Sequence, residues 1–178
     1  LSPNEKKVFL QYLEQFASRD FQLICYLALY TGARLQTICT IRAFHIKEMI
    51  AKQTVNNIDD TYTLRVGGKS IIDTKGGYEH NLKVPGWLIK DINQYLCSES
   101  WQKRASQSLY KARDENYVFL TKLGNPYYTS VKEIEDHNLQ LFSKKIKFSM
   151  HKGNAARQAL TKLINLMHKN KEDIRRFT

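Results

Sequence analysis

Apolar positions recur along this chain with two different periods, helical at both ends and two-residue in the middle. Behind Ser2-Pro3-Asn4-Glu5, the residues Val8, Phe9, Tyr12, Leu13 and Phe16 fall on one helical face. A capping serine, proline at the first helical position and glutamate at the third predict a helix start there. Ser18 to Asp20 break and recap the chain, and Phe21 to Tyr30 is apolar at nearly every position, which predicts a second helix buried on most sides. Thr31-Gly32 ends it, and Leu35, Ile38 and Cys39 give a third helix its inner face. The period then shortens. Tyr62, Leu64 and Val66 alternate with polar residues, Ser70 to Thr74 form a second run, and Leu82 and Val84 a third before Pro85, with Gly67-Gly68 and Gly76-Gly77 as the turns. This pattern predicts a three-stranded antiparallel meander.

Helical spacing returns at Leu88, Ile92, Tyr95 and Leu96. Ser98 to Asn116 is polar and mixed in charge, and reads as a solvated helix or loop that could also touch a nucleic-acid backbone. Tyr117 to Leu120 suggests a short buried strand, Gly124-Asn125-Pro126 a turn, and Val131 to Lys147 a weakly periodic stretch. Asn154 is a candidate cap for a helix whose face carries Ala156, Leu160, Leu163, Ile164 and Met167, and the stretch from Lys169 to Arg176 is strongly basic. The expected fold is α+β, mostly α-helical with a small three-stranded antiparallel sheet, in one domain spanning residues 1–178.

Composition adds a partner to this outline. The 178 residues are 42% hydrophobic, enough to close a core, and 28 Lys and Arg against 17 Asp and Glu give a formal charge of +11. A pI near 9.6 points to a polyanion such as nucleic acid. No apolar run approaches the roughly 20 residues a bilayer crossing needs, and the N-terminus lacks a signal-peptide pattern, so a soluble intracellular protein with no membrane partner is expected. Cys25, Cys39 and Cys97 are odd in number, lack CxxC spacing and sit among apolar neighbours, which predicts core residues rather than disulfides or a zinc site. No pair of His or carboxylate residues has a persuasive metal-ligand spacing, so neither metal nor cofactor is expected.

Two residues stand out as candidate chemistry. Arg34 follows the Thr31-Gly32 turn at a helix start, where exposed N–H groups and a guanidinium can hold phosphate oxygens together. Lys75 sits at the second glycine turn of the meander. Each has an ordinary alternative, a surface salt-bridge partner for the arginine and a solvated side chain for the lysine.

The order helix, helix, TGAR, helix, then a meander with Lys75 in DTKGG and a strand ending in Val84-Pro85 resembles the catalytic domain of the tyrosine recombinases, the phage-integrase family. The resemblance is clear from about Leu1 to Val84 and looser beyond. It implies that Arg34 and Lys75 both contact the scissile phosphate of double-stranded DNA. It also implies that a tyrosine attacks the phosphodiester to give a 3′-phosphotyrosine and a free 5′-hydroxyl without metal or cofactor. Arginine stabilises the charge developing on the nonbridging oxygens, and lysine protonates the leaving 5′-oxygen. The implied setting is a homo-oligomer of the full-length protein on DNA, cytoplasmic, bacterial or phage-encoded, and nucleoid-associated when bound.

The sequence departs from the family pattern in three places. Thr37 stands where the family often has glutamate. No histidine is followed three residues later by arginine, Arg157 in NAAR being the nearest imitation with Asn154 in the histidine's place. The last tyrosine is Tyr128, too early for the nucleophile. The expectation is therefore a C-terminally incomplete catalytic domain, inactive by itself. Two alternatives remain: a noncatalytic DNA-binding protein on a recombinase-like scaffold, and an RNA-binding or protein-interaction domain with a generic basic surface.

Overall fold

The computed structural model describes residues 2–52, 60–139 and 148–170. The chain begins with α1 (Pro3–Phe16), whose capping box forms as predicted: Ser2 Oγ accepts from the Glu5 N–H at 3.3 Å, and Glu5 Oε2 accepts from the Ser2 N–H at 2.7 Å. Phe9 and Leu13 are buried, whereas Phe16 in the last turn stays 49% exposed. α2 (Arg19–Thr31) buries Asp20, Phe21 and every residue from Leu23 to Leu27, and packs against later elements on several sides. Its end is built by two residues. Gly32 takes the left-handed conformation (φ 67°), which a side chain would disfavour, and Thr31 Oγ1 donates to Leu27 O while accepting from the Ala33 N–H. The chain thus leaves α2 at a fixed angle and enters α3 (Leu35–Cys39) one turn later.

After α4 (Ala43–Lys52) come β1 (Thr61–Val66) and β2 (His80–Pro85), then α5 (Gly86–Leu96), α6 (Glu99–Gln107), α7 (Val131–Asn138) and α8 (Asn154–Lys169). The architecture is mostly helical with a small antiparallel sheet. Among the described residues that sheet has two strands, not the expected three. β1 and β2 pair directly from Thr61↔Pro85 to Val66↔His80, so no lane is left between them for a middle strand. The run 70–74 is diverted instead: Ile71 has φ 57°, the carbonyl of Ser70 binds His45 Nε2, and the N–H of Asp73 binds Thr40 Oγ1. Two of its backbone polar groups are thus taken by the side chains of Thr40 and His45, and others by neighbours within 67–77, rather than by a ladder. Tyr62, Leu64 and Val66 face the core together with Leu82 and Val84, as the alternation predicts.

Other expectations also change on packing. Tyr117 to Leu120 is fully buried but makes only isolated bridges, Arg42↔Tyr117 and Leu120↔Pro126. The polar stretch after Ser98 forms α6, yet Trp101 is buried, with its indole N–H on the carbonyls of Tyr117 and Val118. Arg104 points inward to Asp20 (2.7 Å) and the Leu120 carbonyl, so it is structural and does not face a nucleic acid. Gly153, not Asn154, caps α8. Cys25 and Cys39 are core residues, but Cys97 is exposed. Residues 140–147 and 171–178, part of the weakly periodic stretch and most of the basic terminal one, lie outside the described residues.

One buried cation ties the second half of the fold to the first. Arg42, 2% exposed, donates to Glu115 O and Ser130 Oγ, lies 3.9 Å from the Glu133 carboxylate, and stacks on the rings of Tyr117 and Tyr110. The adjoining backbone is held as firmly, since the N–H groups of Ala43 and Phe44 bind the carbonyls of Asn116 and Asp114. Replacing Arg42 by Met leaves Glu133 buried without its cation and is expected to cost about 3–5 kcal/mol, read as the change in unfolding free energy in urea.

His45 adds a pH dependence. Its Nδ1 accepts from the Arg42 N–H and its Nε2 donates to Ser70 O, with the Phe44 ring beside it, Arg42 disfavouring and Glu48 favouring a positive charge. Burial pushes the imidazole pKa below its ordinary 6.5. The fold therefore favours neutral His45, a contribution present above about pH 6.5 and lost as pH falls through the lowered folded-state value. The decline in thermal midpoint on acidification below that pH is expected to flatten in His45→Gln.

Candidate nucleic-acid interface

The Arg34 and Lys75 segments are far apart in sequence and are held together at Asp73. Gln36, two residues beyond Arg34, donates from Nε2 to Asp73 Oδ2 at 3.1 Å, and Asp73 lies two residues before Lys75. The same carboxylate accepts from the Val131 N–H at the start of α7, and the Asp73 N–H donates to Thr40 Oγ1 at 2.9 Å. Burial pushes the Asp73 carboxyl pKa above its ordinary value, against the hydrogen bonds from Gln36 and Val131 and the charge of Arg42 that favour ionisation. Thr37, where a carboxylate was the family expectation, is buried on the inner face of α3; the carboxylate that reaches this helix is Asp73.

Both candidate side chains stay free. Arg34 occupies the N-cap position of α3, exposed, and Lys75 is exposed at the start of a short turn, Lys75–Gly77. Neither has a hydrogen-bond or ionic partner among the described residues. α3 is only five residues long, so it brings little dipole, and anion affinity here rests on the guanidinium itself.

A third cation arrives from the far end of the chain. Gly153, in the left-handed region (φ 78°), lies so close to α3 that a Cβ on it would sit 2.9 Å from Leu35 Cδ2, 3.4 Å from Tyr128 Cδ2 and 3.6 Å from Arg157 Nη1. Arg157 and the residue that follows Arg34 thus both approach Gly153. Its Nη1 donates to Lys152 O at 2.6 Å and Asn154 Oδ1 at 3.2 Å, and Arg157, like Lys152, is exposed. The NAAR spacing alone made Arg157 a weak candidate; the signal missing from the sequence was the close passage of Gly153 over Leu35.

No family model, curated protein or solved structure matches this chain. What the surface can do follows from its side chains. A cavity of about 670 Å³ lies between α4 and β1, lined by residues including His45, Met49, Tyr62, Lys69 and Lys83, but neither Arg34 nor Lys75 borders it. The free cations are on open surface, which suits a ligand the size of a duplex better than a small molecule. Among the described residues no group of three or more His, Cys, Asp or Glu could hold a metal ion, and no helix is long and apolar enough to cross a membrane.

Asp73→Ala removes the acceptor for Gln36 and Val131 and is expected to lower stability by about 1–3 kcal/mol in urea unfolding. Asp73→Asn is expected to stay close to wild type, because an amide oxygen still accepts from Val131, Gln36 can turn its own oxygen toward the new NH₂, and the buried charge is gone.

Proposed function

We propose that this chain is the DNA-binding part of a site-specific tyrosine recombinase, in which Arg34 and Lys75 engage the phosphodiester that is cut and rejoined. The observation that carries the proposal is the Gln36–Asp73 hydrogen bond flanked by two exposed cations that no described protein group neutralises. A protein with a formal charge of +11 that leaves such groups unpaired on two segments joined by a hydrogen bond offers them to an anion. In this role Arg34 grips two nonbridging oxygens, where charge builds up during attack, and Lys75 gives its proton to the leaving 5′-oxygen. The energy of the broken bond is kept in a 3′-phosphotyrosine ester, so rejoining needs no outside source. In this reading the recombinase, bacterial or phage-encoded, works as a homo-oligomer on DNA in the cytoplasm and is nucleoid-associated when bound.

A noncatalytic DNA-binding protein on the same scaffold is the second reading, favoured by one observation: His151 is followed three residues later by Asn154, where the family pattern asks for arginine. A His-x-x-Arg and a tyrosine encoded downstream of Thr178 would favour the enzyme.

Duplex binding measured by fluorescence anisotropy is expected to weaken linearly in a plot of log affinity against log salt. Arg34→Ala and Lys75→Ala should each reduce the slope by about 0.9, one phosphate contact apiece. Affinity that stays constant from low to physiological salt overturns the nucleic-acid reading. Arg34→Lys is expected to restore only part of the lost affinity, since an ammonium lacks the two-pronged geometry. The 178-residue chain itself is expected to form no covalent adduct on a nicked suicide substrate, because no tyrosine follows Tyr128.

A further inference from the structure

The turn that carries Lys75 also carries the most exposed large apolar side chain among the described residues, Tyr78 at 78%. The backbone that carries the ring is held in place. Thr74 Oγ1 donates to Tyr78 O at 2.7 Å and the Gly77 N–H donates to Thr74 O at 3.2 Å, so residues 74–78 close on themselves. The ring lies against Gly76, whose φ of 74° and missing side chain make room for it: a Cβ there would sit 2.8 Å from Tyr78 Cε2. His80, also exposed, follows two residues later with its Nδ1 3.4 Å from Tyr78 O.

An exposed aromatic ring on a self-closed turn has its backbone already ordered, so a partner that covers it gains apolar burial with less loss of freedom than a loose loop would cost. The neighbouring charge indicates which partner. Lys75 is unpartnered on the same turn, and a duplex presents sugar and base edges directly beside each phosphate. We propose that Tyr78 is a DNA-contacting residue, its ring covering the sugar and base edges next to the phosphate that Lys75 holds. This rests on the DNA-binding reading above and adds to it a contact that neutralises no phosphate and releases no counterion. Affinity and salt dependence therefore separate: the lysine sets a share of the slope, and the tyrosine sets affinity alone.

The test is anisotropy of a labelled duplex with the full chain as wild type, Tyr78→Ala, Tyr78→Phe and Lys75→Ala, from roughly 50 to 200 mM salt. Tyr78→Ala is expected to bind about tenfold more weakly at every salt with an unchanged slope, and Tyr78→Phe to stay within about threefold of wild type, because the ring and not the hydroxyl makes the contact. Lys75→Ala is expected to lower the slope. Salt-sensitive wild-type binding with Tyr78→Ala unaffected, or with Tyr78→Phe equally impaired, overturns this proposal and leaves the DNA reading standing. Wild-type binding indifferent to salt removes both. Should Tyr78→Ala lower the thermal midpoint, nitration of the wild-type chain by tetranitromethane decides: protection of Tyr78 by duplex supports the contact, and full reactivity in the complex overturns it.

Discussion

The carboxylate of Asp73 takes a hydrogen bond from Gln36 and another from the Val131 backbone, while its own N–H is held by Thr40. Three stretches of chain meet at that group: α3, the connection between the strands, and the start of α7. An ionised carboxylate is costly to bury, and the rise in its pKa records that cost, but two donors in fixed places, the Gln36 amide and the Val131 N–H, offset part of it. The cost has a return in position. The Asp73 side chain thus ties the segment leading to the Lys75 turn to the helix that follows Arg34, beside the backbone bond to Thr40.

The charge of this protein divides into two populations that composition cannot separate. Arg42 and Arg104 are spent inside, one stacked on Tyr117 and Tyr110 beside Glu133, the other paired with Asp20 and backed by the Tyr127 hydroxyl. Burial alone would raise the Asp20 pKa, yet the hydrogen bonds from Arg104, Tyr127 and Ser18 outweigh it and keep the carboxyl below its usual value. Arg34, Lys75 and Arg157 belong to the other population and point to solvent. Other surface cations, such as Lys47 with Asp114 and Arg65 with Glu79, are neutralised in exposed ion pairs, so these unpaired ones are what remains to act on something outside the fold.

The sequence displayed the helices wherever caps and periodicity agreed. Ser2 to Glu5 predicted the first helix to the residue, Thr31-Gly32 its successor's end, and the alternation from Tyr62 to Val84 the buried face of the hairpin. It misled where a local pattern had two outlets. Ile71 and Ile72 look like strand residues, but β1 and β2 pair with each other and the backbone of 70–73 is claimed by His45 and Thr40, a choice made by residues far along the chain. The polar look of Trp101 to Arg104 concealed an inward-facing helix because an amphipathic stretch does not state which neighbour will receive it. Arg34 and Lys75 were legible as separate motifs, whereas the contact that joins their segments, and the approach of Arg157, depend on Asp73 and Gly153, neither of which carries a chemical signature.

The direct pairing of Val66 with His80 has an evolutionary side. Because the ladder is complete without them, residues 67–79 form an excursion whose length and composition do not enter the strand register. Insertions, deletions or wholesale replacement of its outer part can therefore be sampled without refolding the sheet, provided the Asp73 anchor survives. A scaffold with that separation between frame and tip is suited to diversifying what it grips while keeping how it grips.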